Sequence, residues 1–220
     1  MDPAPSVPIG VKETSTIVIL GSSTAQGFGA SSPDSSWAKK LEVFMNKKSK
    51  SNFVNLAYGG FTTYHVLPSG CTAPEKIQPD TARNITKALS YKPTLVIISL
   101  PNNDVANNYT NKEIVENFGK LTHILDSSKI QYIVFSTQPR DFTTLEQRRQ
   151  ITTLNDTLKA VYGYHFNDFL AALSDTDYFI KPEVAYGDAV HINNAGHTII
   201  FNAISKHALL TNSCKCSVSN

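Results

Sequence analysis

The sequence predicts an α/β fold in three layers, a mostly parallel sheet of about five strands with helices on both faces and flavodoxin-like strand order. Three observations lead there. Short apolar runs rich in β-branched residues alternate with longer amphipathic runs along the chain. The apolar runs show no polar alternation, so neither face of those strands is built to meet water. Strand–helix alternation of this kind is the pattern of a parallel sheet covered on both sides.

Each element follows from local pattern. Thr16-Ile-Val-Ile-Leu20 is a buried strand that stops at Gly21. A helix is expected from about Ser35, with Trp37, Leu41 and Phe44 on one face. Phe53 to Ala57 reads as a second strand ending at Gly59-Gly60. Pro79 to Tyr91 reads as a helix that starts with a Pro-Asp pair and ends before Pro93. Thr94 to Leu100 is the clearest strand of the chain. Asn111 to Ser127 places Ile114, Phe118, Leu121 and Leu125 at helical spacing. A fourth strand is expected over Ile130 to Ser136. A helix follows over Thr144 to Val161, with Ile151, Leu154, Leu158 and Val161 inward. A weak fifth strand is expected near Tyr164 to Asn167, and a last helix from about Asn193 to Leu210.

Composition narrows the class. A chain of 220 residues lies within the range of one large domain and can bury a full core. With 41% hydrophobic and 17% charged residues it is globular rather than disordered. A net charge of +2, with no basic run interleaved with aromatics, argues against nucleic acid or an anionic membrane surface as partner. The longest apolar runs, such as Leu95 to Leu100, fall far short of the ~18 residues of a membrane span. The expected organisation is an extension over 1–15, one domain over 16–210, and a polar tail over 211–220 that could begin a linker to further domains of a longer parent chain. Met1 to Gly10 carry no basic n-region and no apolar h-region. They fit a cytoplasmic start, or a start after a removed signal, in which case secretion or the periplasm is favoured. Cys71 stands alone, and the Cys214-Lys-Cys216 spacing is awkward for a mutual disulfide. No second pair lies at zinc-ligand spacing, so all three read as thiols without a catalytic role.

In an open parallel sheet the working site lies outside the carboxyl ends of the strands. Those ends are Gly21-Ser22-Ser23, Asn55 to Thr63, Pro101-Asn102-Asn103-Asp104 and, late in the chain, Gly187-Asp188-Ala-Val-His191 running on to His197. Together they offer a hydroxyl, an imidazole, a carboxylate and several hydrogen-bond donors, the inventory of acyl transfer. A serine hydroxyl is a weak nucleophile until a histidine takes its proton, and the histidine needs a carboxylate to hold its tautomer. Asp188 and His191, three residues apart, can be presented by one short loop. A tetrahedral intermediate also needs donors, each worth about 3 kcal/mol of barrier. The Ser23 and Gly60 N–H groups and the Asn103 amide suit that task.

At these four segments the sequence resembles the SGNH (GDSL-like) hydrolase family. Gly21-Ser22-Ser23 matches the family's Gly-Asp-Ser block, Asn55 to Thr62 its Asn-x-x-x-x-Gly-x-Thr block, Pro101 to Asp104 its Gly-x-Asn-Asp block, and Asp188 to His197 its Asp-x-x-His block with the following Asn-x-x-Gly-His. The four stand in order on a βα pattern, from residue 16 to about 205. The resemblance implies Ser23 as nucleophile, His191 as base and then acid, Asp188 as its orienting carboxylate, and Ser23, Gly60 and Asn103 as the oxyanion hole. Ser22 departs from the family's aspartate and Pro101 from its glycine.

Weighed against these roles, Ser22 is the fallback nucleophile, Gly59 a turn residue, and Asp104 and His197 structural bonds. His65, His123, His165 and His207 fit packing or solvated surface. Arg140, after the fourth strand, is expected to help shape the substrate pocket. Asn84, Asn108 and Asn155 open glycosylation-type tripeptides that are common by chance. The expected activity is hydrolysis of a carboxylic ester through an acyl–serine intermediate, with no metal or organic cofactor. The expected substrate is a small ester or an acylated carbohydrate, because the loops are polar, Tyr58, Tyr64 and Tyr109 lie nearby, and no Leu- or Phe-rich lid is evident. An acyltransferase on the same triad and a non-catalytic carbohydrate-binding module are the alternatives.

Overall fold

The computed structural model of the protein describes residues 15–48, 50–72 and 76–211. Five strands, β1 (Ser15–Gly21), β2 (Ser51–Asn55), β3 (Leu95–Ser99), β4 (Gln131–Phe135) and β5 (Phe166–Asn167), form one sheet in the order β2-β1-β3-β4-β5. Every pairing is parallel. This is the flavodoxin-like order. The chain leaves β1 toward one edge to make β2 and returns past β1 to make β3, so the connections diverge between β1 and β3. That divergence opens a crevice at the carboxyl ends of those two strands.

The alternation of side chains along each strand explains why the strands are apolar throughout. Val18 and Leu20 of β1 point to one face with Val96, Ile98 and Val134, and Ile17 and Ile19 point to the other with Ile97, Ile133 and Phe135. The first face is covered by α5 (Asn111–Ser127) and α6 (Leu145–Tyr162), which bring Phe118, Leu121, Leu125, Leu154 and Leu158. The second is covered by α2 (Trp37–Lys48) and α8 (Asn194–Ile204), which bring Trp37, Leu41, Ile200 and Ile204. Each such side chain, fully withdrawn from water, contributes about 1.5–3 kcal/mol.

Short helices complete the layers: α1 (Ser23–Gln26), α3 (Ile85–Ser90), α4 (Asn102–Ala106), α7 (Leu170–Leu173) and α9 (Ala208–Thr211). Among the described residues no helix is long and apolar enough to cross a membrane.

Several boundaries differ from the sequence expectation. The second strand covers 51–55 rather than 53–57. The helix expected over 79–91 covers only 85–90, because Asn84 is the true cap and accepts from the Lys87 N–H at 3.0 Å. Asp80 instead builds a turn that accepts from Ala82 N at 2.8 Å. The last helix breaks after Ile204, and only α9 resumes it. At the end of α6 Val161, expected inward, is exposed, and Tyr162 is buried in its place. Positions three and four beyond Leu158 fall on either side of its stripe, and the larger ring takes the inner place. The expectations for residues 1–14 and for the tail after Thr211, including Cys214 and Cys216, lie outside the described residues. Cys71 is a free thiol.

Candidate active site

The site is assembled from four segments at the crevice. β1 ends at Gly21, and α1 begins two residues later with Ser23. The turn is tight: a Cβ on Gly21 would stand 3.0 Å from the Ser99 carbonyl of β3 and closer still to Ala25, so only glycine fits. α1 is pinned by Asn55 at the end of β2, whose Nδ2 donates to the Ala25 carbonyl at 2.8 Å. Ser23 is thereby fixed at the mouth of the crevice, half-buried.

His191 reaches Ser23 from the loop before α8. Its Nε2 lies 2.7 Å from Ser23 Oγ, and its Nδ1 lies 2.6 Å from Asp188 Oδ2. A carboxylate only accepts, so Nδ1 carries the proton and Nε2 is left to accept from the Ser23 hydroxyl. Asp188 also accepts from the N–H groups of Val190 and His191 at 3.0 and 2.8 Å through Oδ1. Burial works against its charge, but the His191 ring and these two N–H groups outweigh it and hold the carboxyl below its usual range. The loop is tied down on both sides: Tyr186 N donates to His191 O at 2.9 Å, and Asp141 N donates to Ala189 O at 2.9 Å. Phe28 packs against the His191 ring with centroids 4.2 Å apart.

The segment after β2 carries Gly60, whose φ of +83° is a left-handed conformation that glycine takes without strain. No atom would meet a Cβ at Gly60, so it is the backbone conformation that selects glycine. Gly59 N donates to Gln26 Oε1 of α1 at 2.9 Å, which locks this turn to the segment of Ser23. Asn103, at the start of α4, donates from Nδ2 to Phe61 O at 3.0 Å and accepts at Oδ1 from Arg140 Nη1 at 3.3 Å. Asp104 is wholly buried and accepts from Thr63 N at 2.9 and 3.1 Å and from the Thr63 hydroxyl. Burial pushes its carboxyl up to about 7 against the pull of those Thr63 bonds. Asn117 of α5 donates to Thr63 Oγ1 at 3.0 Å and extends the network inward.

The structure therefore brings Ser23, Asp188 and His191 into one hydrogen-bonded chain, with Gly60 and Asn103 in segments tied to each other through Phe61. Asp104 makes a buried structural bond, as expected. So does His197, which accepts from Trp37 N at 3.3 Å through Nδ1 and faces Phe28 O at 3.0 Å through Nε2. One expectation changes. Tyr64 and Tyr109 are buried, packed edge-on at 5.2 Å, with Tyr64 bonded to Glu113, so they do not border the crevice. The exposed rings beside the site are Tyr58, Phe28 and Tyr186, with Phe28 and Tyr186 edge-on at 5.6 Å. Of the three glycosylation-type asparagines, Asn84 and Asn155 are buried and only Asn108 is exposed. Sequence reading did not single out Gln26 or Asn117. Nothing in local pattern marks Gln26, whereas Asn117 interrupts the apolar stripe of α5 between Ile114 and Phe118, and a polar residue there is a legible signal. Among the described residues no group of three or more His, Cys, Asp and Glu could hold a metal.

The same fold occurs in enzymes of known structure. An acetyl-xylooligosaccharide esterase from Geobacillus superposes with a TM-score of 0.67 at 18% identity, covering 90% of this chain and 96% of its own. A psychrotrophic esterase from Pseudoalteromonas sp., in a structure inhibited by monoethylphosphonate, gives 0.66 at 16% identity, covering 90% and 98%. A GDSL-like lipase from Bacteroides thetaiotaomicron gives 0.66 at 17%, covering 93% and 91%. At these identities the likeness is one of fold. No match to a curated protein sequence was found. The chain's own sequence goes further, because residues 19–199 match the profile of the GDSL-like lipase/acylhydrolase family. The protein belongs to that family, and its class is that of hydrolytic esterases.

Proposed function

We propose that the protein is a serine esterase that removes a short acyl group, by preference acetyl, from a carbohydrate alcohol through an acyl–Ser23 intermediate. The observation that carries this reading is the chain of hydrogen bonds from Ser23 Oγ to His191 at 2.7 Å and from His191 to Asp188 at 2.6 Å. As Ser23 Oγ bonds to the ester carbonyl carbon, its proton passes to His191 Nε2, and Asp188 stabilises the imidazolium. The oxyanion is received by the Ser23 N–H, the Gly60 N–H and the second N–H of Asn103 Nδ2. When the carbonyl re-forms, the ester C–O bond breaks and His191 gives its proton to the departing alcohol. Water then attacks the acyl–serine with His191 as base, and Ser23 regains its proton.

The choice of a sugar as alcohol rests on the partly exposed side chains of Tyr58, Phe28 and Tyr186 beside the crevice, since aromatic rings pack against pyranose rings. The Geobacillus enzyme's acetylated xylooligosaccharides set the direction. The test compares p-nitrophenyl acetate, butyrate and octanoate, and then acetylated xylooligosaccharides, with wild type and Ser23→Ala. Activity that prefers acetate and falls by about 10⁴-fold or more in the variant supports the reading. Equal rates in the two proteins would refute it, and a preference for octanoate would refute the short-acyl part alone.

A further inference from the structure

Asn103 is gripped at both ends of its amide. The nitrogen donates to Phe61 O and the oxygen accepts from the Arg140 guanidinium. A half-turn about the last side-chain torsion would exchange the two ends of the amide. It would set the amide oxygen against the Phe61 carbonyl and the NH₂ group against the guanidinium, acceptor on acceptor and donor on donor. The guanidinium therefore selects one of two otherwise similar orientations. In that orientation one N–H is used by Phe61, the residue after Gly60, and the other remains for the crevice.

Arg140 is built to hold that position. The segment after β4 that carries it is clamped to α4, where Asn102 Nδ2 donates to Gln138 O and Gln138 N donates to Asn102 Oδ1 at 3.2 Å. One residue beyond Arg140, Asp141 N is bonded to Ala189 O of the His191 loop. The guanidinium lies 5.1 Å from the Phe142 ring centroid, and Asp188 attracts it. Its side chain is half-buried, so its charge is only partly screened.

We propose that Arg140 is a positioning residue for the oxyanion site, holding the Asn103 amide with its nitrogen toward the reacting carbonyl and strengthening that amide as a donor. The proposal rests on the reading of Ser23 and Asn103 given above. It differs from a pocket-wall role because Arg140 acts through its bond to Asn103 rather than by touching substrate. A contact that matters as the oxyanion forms acts on kcat, whereas a substrate contact common to ground and transition states acts on KM. A guanidinium bonded to an amide oxygen also polarises the amide, which strengthens its N–H groups as donors.

The experiment is steady-state hydrolysis of p-nitrophenyl acetate by wild type, Arg140→Ala, Arg140→Lys, Asn103→Ala and the Arg140→Ala/Asn103→Ala double variant, with Ser23→Ala as control and a melting curve for each. Arg140→Ala is expected to lower kcat about tenfold with KM within about twofold, less than the ~10²-fold or more expected for losing the Asn103 donor itself. Arg140→Lys, which keeps a donor and a charge, recovers part of the loss. In the Asn103→Ala background the Arg140 substitution changes kcat no further. A loss of the same factor with and without Asn103, or a rise in KM alone, overturns the proposal. If Arg140→Ala does not fold, Arg140→Lys and Arg140→Gln carry the same comparison. An inactive Ser23→Ala beside an unchanged Arg140→Ala sinks the positioning role alone, while a fully active Ser23→Ala sinks the underlying reading and this proposal with it.

Discussion

Two regions of the crevice each lean on one aspartate, and the protein treats the two in opposite ways. Asp104, beneath the Gly60 and Asn103 segments, is wholly buried, and burial pushes its carboxyl up to about 7. Asp188, in the exposed loop of His191, is held below the ordinary carboxylate range by the His191 ring and two backbone N–H groups, despite some burial. The same residue type thus serves as a dry brace on one side and a charged partner on the other. A brace needs only acceptors in fixed places, whether or not it is ionised. A group proposed to steady an imidazolium needs its charge, and a loop at the surface lets water help keep it.

This contrast can be broken at either end. The largest effect is expected from Asp188→Asn: about 10³–10⁴-fold in kcat, because an amide can hold the wrong imidazole tautomer, with little change in melting temperature. A variant that kept a tenth or more of wild-type kcat would show that the loop carboxylate does not govern His191. Asp104→Ala should do the reverse and act first on stability. It strands the Thr63 N–H and hydroxyl in the interior and should cost about 2–4 kcal/mol in urea unfolding. A loss under about 0.5 kcal/mol would mean that the buried network is slack.

The finest test is the pH dependence of stability, where the two carboxyls have opposite signs. Asp104 has a folded pKa raised above its unfolded value of about 3.9. Its favourable contribution is complete below about pH 4 and is lost as pH rises toward 7. Asp188 has a lowered folded pKa, so its contribution is present above about pH 4 and is lost as pH falls through the folded value. Urea midpoints measured from pH 4 to 8 should therefore decline less steeply in Asp104→Asn than in wild type. Parallel curves would show that Asp104 titrates alike in both states.

The sequence was most legible where one physical demand acted alone. Ile17 to Leu20 and Val96 to Ile98 had to be apolar on every position because both faces of the sheet are covered, and that leaves an unmistakable run. The proposed site residues Ser23, Gly60, Asn103, Asp188 and His191 could be singled out because strand ends are few and their residues are small and polar. What escaped were choices settled by tertiary competition. Asp80 and Asn84 both look like helix caps, and only the packing of Ile85 and Ala88 decides for Asn84. The last helix reads as continuous, yet the chain turns at Ser205–Lys206 so that His207 and Leu210 can be buried. The link from Arg140 to Asn103 spans 37 residues and leaves no trace in local pattern.

The contact between Ser23 and His191 joins residues 168 apart, and two neighbouring bonds, Phe28 to His197 and Ser31 to Asn194, span 169 and 163. Translation at roughly 5–20 residues per second places about ten to thirty seconds between the two halves of that contact. Throughout that interval Ser23 lacks the imidazole partner that the folded protein gives it. On the function proposed above, turnover begins only once the segment of His191 has docked onto the loop of Ser23, so catalytic output would be a gauge of completed folding.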